Sequence, residues 1–103
     1  MKINVNQVYK SLDGEVVKQD VDGNTIDMTL KVSAITALLT PTGKEEISGE
    51  EKATRFLLAE RLTHDEDGIV ELKIDEVALL KKLIGVLYSP LIVGQAFRFL
   101  EQD

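Results

Sequence analysis

The single histidine is the residue whose chemistry most invites a functional interpretation. His64 lies in the acidic run His64-Asp65-Glu66-Asp67-Gly68, and the chain contains no cysteine. A histidine-based zinc site normally takes three or four nitrogen or sulfur ligands, which this composition cannot supply. A general base needs an orienting partner and a pocket, and an acidic loop provides neither. The sequence therefore predicts that His64 lies in an exposed loop, outside any catalytic or metal site.

Two aspartate-rich stretches match part of the spacing of a calcium-binding loop. Residues 20–24 place oxygen ligands at alternate positions, as the first half of such a loop does. However, Thr25 stands where the loop needs glycine, and Lys31 stands where it needs a bidentate glutamate. In the second stretch, which begins at Asp65, Ile69 takes the place of the third oxygen ligand. Both stretches are therefore predicted to be turns, and we expect them to bind no metal.

Motifs for phosphate binding and for nucleophilic catalysis are missing from the sequence. The glycines are isolated, and none opens a Gly-x-x-x-x-Gly-Lys pattern. No serine has the glycine context of a nucleophile elbow. The acidic pair Glu50-Glu51 is explained by the helix dipole, which favours carboxylates in the first turn. We therefore expect no catalytic residue, no cofactor and no metal, and a protein that is not an enzyme.

Length and charge limit the possible classes of function. At 103 residues the chain fits one domain, residues 1–103, and folding would bury roughly two-thirds of its surface. The net charge of −6 argues against nucleic acid as a ligand, because phosphate binding needs clustered lysine and arginine. Solubility explains the acidity. Mimicry of DNA is the sharper alternative, but the twelve basic residues are scattered among the eighteen acidic ones.

The sequence also predicts a cytoplasmic protein with no membrane segment. The lack of cysteine fits a reducing compartment, and the first residues lack the apolar stretch of a signal peptide. The longest uncharged run covers residues 83–97 and is interrupted by Gly85, Pro90 and Gly94. A run this short and broken cannot span a bilayer.

The N-terminal part of the chain carries signals for strands and then for a helix. Alternating apolar residues predict an extended segment at residues 3–9, and Asp22-Gly23 favours a tight turn within a β-hairpin over residues 15–28. Thr29 is a suitable N-cap for a helix over residues 30–39. That helix has little polar surface, so we expect it to be buried on most sides, and residues 40–43 end it.

The central part has the form of a capped helix followed by a short strand. Ser48-Gly49-Glu50-Glu51 has the pattern of a capping box, in which Ser48 accepts from an amide and Glu51 reaches back. The helix is predicted to run from Gly49 to about Leu62. Its inward stripe is predicted to contain Phe56, Ala59 and Leu62, with Ala53 and Leu57 beside it. Ile69, Val70 and Leu72 are predicted to form a short strand that could join the N-terminal hairpin.

Two further helices complete an α+β fold in which a hairpin and a short third strand pack on about four helices. The first is predicted at residues 75–88, with Leu87 among its inward residues and Lys81 and Lys82 facing water. Ser89-Pro90 interrupts the chain and starts the last helix, which is predicted to end near Glu101.

The apolar character of these last two helices is the unusual feature of the sequence. From residue 77 to residue 100 the only charged residues are Lys81, Lys82 and Arg98, and two glycines lie within helical stretches. Two interpretations stay open: the helices bury each other, or part of their surface meets another protein or a second copy. The candidate interface residues are Gly85, Tyr88, Pro90, Gly94, Phe97 and Phe99.

Three stretches together carry a family resemblance. They are residues 29–39, residues 48–52 with Arg55-Phe56, and residues 83–96, which read LIGVLYSPLIVGQA. Their order and spacing resemble a group of small uncharacterised proteins encoded by tailed bacteriophages and prophages. The shared features are caps, a helix break and packing glycines. The resemblance therefore implies a phage setting in the host cytoplasm and transfers no functional residue.

The function hypothesis that follows is a non-enzymatic phage or prophage accessory protein. It would act by protein–protein contact, in particle assembly or on a host factor, and a homodimer through the C-terminal helices is the expected self-association. The alternative is a small enzyme or ligand-binding domain whose site is built from scattered polar residues. A pocket lined by carboxylates with shifted pKa values would favour that alternative.

Overall fold

Short strands come first and most of the helices later in this chain, for which the computed structural model describes residues 1–41 and 46–101. In chain order the elements are β1 (Lys2–Asn4), β2 (Lys18–Val21), β3 (Asn24–Asp27), α1 (Leu30–Leu39), α2 (Gly49–Thr63), β4 (Ile69–Glu71), α3 (Ile74–Leu87) and α4 (Pro90–Leu100). Within these residues the four helices and two small antiparallel sheets form an α+β fold, as predicted.

The helix starts lie where the capping residues predict them. The Thr29 hydroxyl accepts from the Val32 N–H at 3.2 Å, and the Ser48 hydroxyl accepts from the Glu51 N–H at 3.0 Å. The second half of the predicted capping box is wrong, because the Glu51 carboxylate instead accepts from Arg55 Nε at 3.4 Å. None of the helices among the described residues is long and apolar enough to cross a membrane.

The end of α1 was predicted at residues 40–43. The helix ends at Leu39, and the Thr40 N–H donates to the Thr36 carbonyl at 3.0 Å. Thr42 and Gly43 lie outside the described residues.

Strand β4 pairs with β1, so the prediction that it joins the hairpin is wrong. The pairing is antiparallel and sets Ile3 opposite Val70, and both side chains are buried. The Val5 N–H extends the ladder to the Gly68 carbonyl at 2.8 Å. This arrangement gives Ile3 and Val70 a shared apolar environment, which the solvated hairpin cannot offer.

The hairpin β2–β3 forms where it was predicted but rests on little of the core. Asp22 and Gly23 form the turn with φ values of 52° and 82°, the left-handed conformations that such turns require. Every residue of β3 is exposed, and β2 has no fully buried residue. The hairpin is therefore a ribbon with solvent on both faces.

The core lies around α1, which packs on α2 and α3. Tyr9 lies at its centre with 0% of its surface exposed. The Tyr9 hydroxyl is 2.6 Å from the Ser33 hydroxyl, which in turn donates to the Leu30 carbonyl at 2.9 Å. The Tyr9 ring stacks against Phe99 with 5.4 Å between centroids. As predicted, α1 is buried on most sides, and Tyr9 ties it to α4.

Two predicted inward faces differ from the structure. In α2 the buried residues are Arg55, Leu58, Ala59 and Leu62. Phe56 and Leu57, which were predicted to lie on or beside the inward stripe, are 54% and 60% exposed. Apolar residues occupy more than half of the α2 circumference, so periodicity alone did not select the face. In α3, Leu87 was predicted to face inward but is exposed as well, and it is the last residue of the helix.

Candidate functional site

His64 is the C-cap of α2 and is exposed, as predicted. Its backbone N–H donates to the Glu60 carbonyl at 3.1 Å. The residue borders an open hollow of about 620 Å³ between the end of α2, β4 and the start of α3. The other residues lining the hollow are Arg61, Asp65, Ile69, Val70, Glu71, Lys73 and Glu76.

Glu76 is one carboxylate of this hollow that is held by an ion pair. Arg61 contacts the Glu76 carboxylate at 2.8 Å, and the Lys73 N–H donates to it at 2.8 Å. Burial alone would raise the pKa of Glu76, but these hydrogen bonds outweigh burial and lower that pKa. A general acid at neutral pH needs the opposite shift. The arrangement is therefore that of an ion pair joining α2 to α3, and it does not favour an acid–base site.

The two aspartate-rich stretches form turns, as predicted. The Asp20 carboxylate accepts from the Thr25 hydroxyl at 2.8 Å across the hairpin. The Asp65 carboxylate accepts from the Gly68 N–H at 2.7 Å, which closes the loop before β4. Across residues 1–41 and 46–101 no cluster of three or more His, Cys, Asp or Glu side chains is placed to hold a metal ion.

A groove of about 360 Å³ lies between the end of α1 and the start of α2. Its lining residues are Leu38, Leu39, Thr40, Pro41, Ile47, Lys52 and Arg55. Arg55 is only 5% exposed, and its Nε contacts Glu51 at 3.4 Å. Arg55 was not among the site residues predicted from the sequence.

An uncharged apolar surface surrounds the break between α3 and α4. We define the corner surface as the six exposed residues Gly85, Val86, Leu87, Pro90, Leu91 and Gly94. Val86 is 65% exposed, and Leu87 and Leu91 are each 37% exposed. Ser89 is at the N-cap position of α4 and Pro90 is its first residue, so exposed apolar residues lie on both sides of this helix break.

The predicted interface residues divide into two groups. Gly85, Pro90 and Gly94 are exposed and belong to the corner surface. The three aromatic residues are half-buried and contact their own chain: Phe99 stacks on Tyr9, Phe97 lies 5.5 Å from Lys81 Nζ, and Tyr88 packs against the core. Of the predicted interface residues, the two glycines and the proline are thus exposed around the helix break, whereas the three aromatic residues are half-buried.

Val86, Leu87 and Leu91 belong to the corner surface but were not among the predicted interface residues, and Leu87 was predicted to face inward. Their signal is positional, because each lies within three residues of Ser89-Pro90. A helix break leaves flanking apolar residues with no neighbouring turn to cover them.

Gln95 holds the corner in place. Its amide oxygen accepts from the Lys10 N–H at 2.9 Å, and its amide nitrogen donates to the Lys10 carbonyl at 2.8 Å. The same nitrogen also reaches the Leu91 carbonyl at 2.9 Å. This paired contact mimics a strand hydrogen-bond pair and fixes α4 against the N-terminal segment.

Comparisons with protein-family models, with curated proteins and with solved structures found no match to this chain. The geometry of its surface is therefore the basis for any functional conclusion.

Proposed function

We propose that this chain is a non-enzymatic protein that works by contact with another protein through the corner surface. The observation that carries the proposal is the exposure of Val86, Leu87 and Leu91 around one helix break. Taking a whole side chain of this kind out of water contributes about 1.5–3 kcal/mol, and a partner would supply the share of it that corresponds to the exposed part of each residue. Clustered apolar side chains with no charge among them mark protein contact sites.

The biological setting is part of the same proposal. The resemblance to small tailed-phage and prophage proteins supports a role in particle assembly or in binding a host factor. The partner is then a phage protein, a host protein or a second copy. The ion-paired Glu76 gives no support to the alternative of an enzyme, because its lowered pKa serves an ion pair.

Site-specific photo-crosslinking tests the proposal. A photoreactive phenylalanine derivative is placed at Val86, and the matched control carries it at Ala78, which is exposed on the same helix. We expect crosslinked species of discrete mass from position 86 and none from position 78. Adding Leu91→Asp to the first variant should abolish the crosslink, because it places a charge in the contact. Equal crosslinking from both positions would show that the corner surface is not the contact site.

A further inference from the structure

We infer that the corner surface binds the corner surface of a second copy of this chain about a two-fold axis. The inference rests on the proposed function and names its partner. A two-fold contact uses the same patch on both copies, so the patch must be complementary to itself.

Charge is the first reason to choose a second copy. Two chains of net charge −6 repel, and any charge near a two-fold axis faces the same charge of the other copy. Residues 83–97 carry no charge, so the corner surface avoids this conflict. The charged residues nearest to it along α3 and α4 are the cations Lys82 and Arg98, which offset part of the net negative charge locally.

The exposed apolar face of α2 is a weaker candidate for the interface between two copies, which we call the seam. Phe56 and Leu57 lie on it, but Glu60 lies one turn further along the same face and is exposed. A two-fold contact there would bring two glutamates together or bury them without a partner. The comparison therefore favours the corner surface.

The second reason is Gly94, which lies in the middle of α4 although glycine weakens a helix. A Cβ atom at this position would have no neighbour within 4 Å. At Gly85 the nearest atom to such a Cβ is a Phe97 ring carbon at 4.0 Å, an ordinary contact. Neither glycine is required by packing within this chain. A glycine on an exposed helix face lets another helix approach closely, and a second copy would supply that helix.

Analytical ultracentrifugation of the intact chain tests the inference. We expect the mass to rise from 11.4 kDa to twice that value over the micromolar range. Association should tighten when salt is raised, because salt screens the repulsion between two acidic chains. A mass of 11.4 kDa at every concentration would overturn the inference.

Matched variants locate the seam. Leu91→Asp should weaken association by about 100-fold, because it buries an uncompensated charge. Val86→Lys should act in the same direction, and each substituted charge suits the helix end at which it lies. Leu57→Asp is the control, because Leu57 is 60% exposed, between Leu91 at 37% and Val86 at 65%, but lies on α2. The inference would be overturned if Leu57→Asp broke the dimer while Leu91→Asp and Val86→Lys left it intact.

Gly94→Ala tests whether Gly94 lies in the interface between two copies. If it does, the substitution should stabilise the monomer but weaken the dimer. In the Leu91→Asp background, the substitution should raise the Tm of the monomer by about 2–8 °C through helix propensity. In the otherwise unchanged chain it should weaken dimerisation, since a methyl group would enter the seam. Unchanged dimerisation would contradict the close approach at Gly94.

The two proposals fail in distinguishable ways. A monomeric chain that still crosslinks from Val86 to a protein of another mass would contradict the second copy and keep the proposed function. A chain that neither associates nor crosslinks from Val86 would contradict both.

Discussion

The buried hydrogen bond between Tyr9 and Ser33 gives a prediction whose magnitude follows from the structure. Tyr9 is fully buried, and its hydroxyl lies 2.6 Å from that of Ser33. Because Ser33 donates to the Leu30 carbonyl, the Tyr9 hydroxyl donates to Ser33. The pair joins the N-terminal segment to the central helix α1.

Tyr9→Phe removes the donor and leaves the ring in place. We expect it to lower the free energy of unfolding by about 1–2 kcal/mol, the value of a buried hydrogen bond with a partly unsatisfied partner. Ser33→Ala leaves the Tyr9 hydroxyl buried without its acceptor and should cost about 1–3 kcal/mol. The double variant should lose less stability than the two single variants together, because the second substitution removes the group that the first left unpaired.

The same hydroxyl makes stability depend on alkaline pH. Burial raises the pKa of Tyr9 from 10.0 to about 12, although the hydrogen bond to Ser33 acts in the opposite direction. Between these two values the unfolded chain has lost the proton and the folded chain keeps it. The unfolded state therefore binds fewer protons, and stability falls as pH rises. The pKa difference of Tyr9 corresponds to about 2–3 kcal/mol of folding stability, which is fully present below pH 10 and is lost by pH 12.

Urea unfolding followed by circular dichroism, at pH 7 and at pH 11, measures both effects. The difference in the free energy of unfolding between the unsubstituted chain and Tyr9→Phe should be smaller at pH 11 than at pH 7. Only the unsubstituted chain carries the Tyr9 hydroxyl. Tyr88, whose pKa is also raised by burial, should leave a residual decline in both proteins. The assignment of the hydrogen bond would be refuted if this difference in unfolding free energy were the same at both pH values. It would also be refuted if the losses of the two single substitutions added up to that of the double variant.

Three further predictions concern single features. Ser48→Ala should lower stability by about 0.5–2 kcal/mol through loss of the N-cap of α2, and an unchanged urea midpoint would place the helix start elsewhere. Gln95→Glu should cost about 1–3 kcal/mol, because a carboxylate oxygen would face the Lys10 carbonyl; equal stability of the two proteins would contradict the paired contact. Millimolar calcium should leave the Tm unchanged, and an increase of several degrees in a thermal melt would reveal a site.

The helices could be predicted from sequence because their signals are local. Thr29, Ser48 and Ser89-Pro90 mark starts that the structure confirms, and Asp22-Gly23 marks the hairpin turn. Each signal acts within a few residues, through a cap, a fixed φ or a left-handed turn.

The strand pairing could not be predicted in the same way. Strand β4 pairs with residues almost seventy positions away, and nothing in the local pattern of Ile69 and Val70 distinguishes β1 from the hairpin as partner. The inward face of α2 was lost for a related reason. Leu57 and Leu58 are adjacent and equally apolar, and packing against α1 decides which is buried.

The candidate surface was predicted in part. Gly85, Pro90 and Gly94 were identified because residues 83–97 lack charge. The aromatic residues were expected beside them, but Tyr9 draws Phe99 inward and Lys81 covers Phe97. Such contacts depend on the tertiary arrangement, which composition does not reveal.

Cysteine crosslinking tests the contact between two corner surfaces most directly. The chain has no cysteine, so Gly94→Cys, Leu91→Cys and Val86→Cys each introduce a single thiol at the proposed seam, and Leu57→Cys introduces one outside it. A disulfide forms only when two Cα atoms come within about 7 Å. We expect that, under mild oxidation, at least one seam variant forms a disulfide-linked dimer much faster than Leu57→Cys does. Equal rates at all four positions would contradict it.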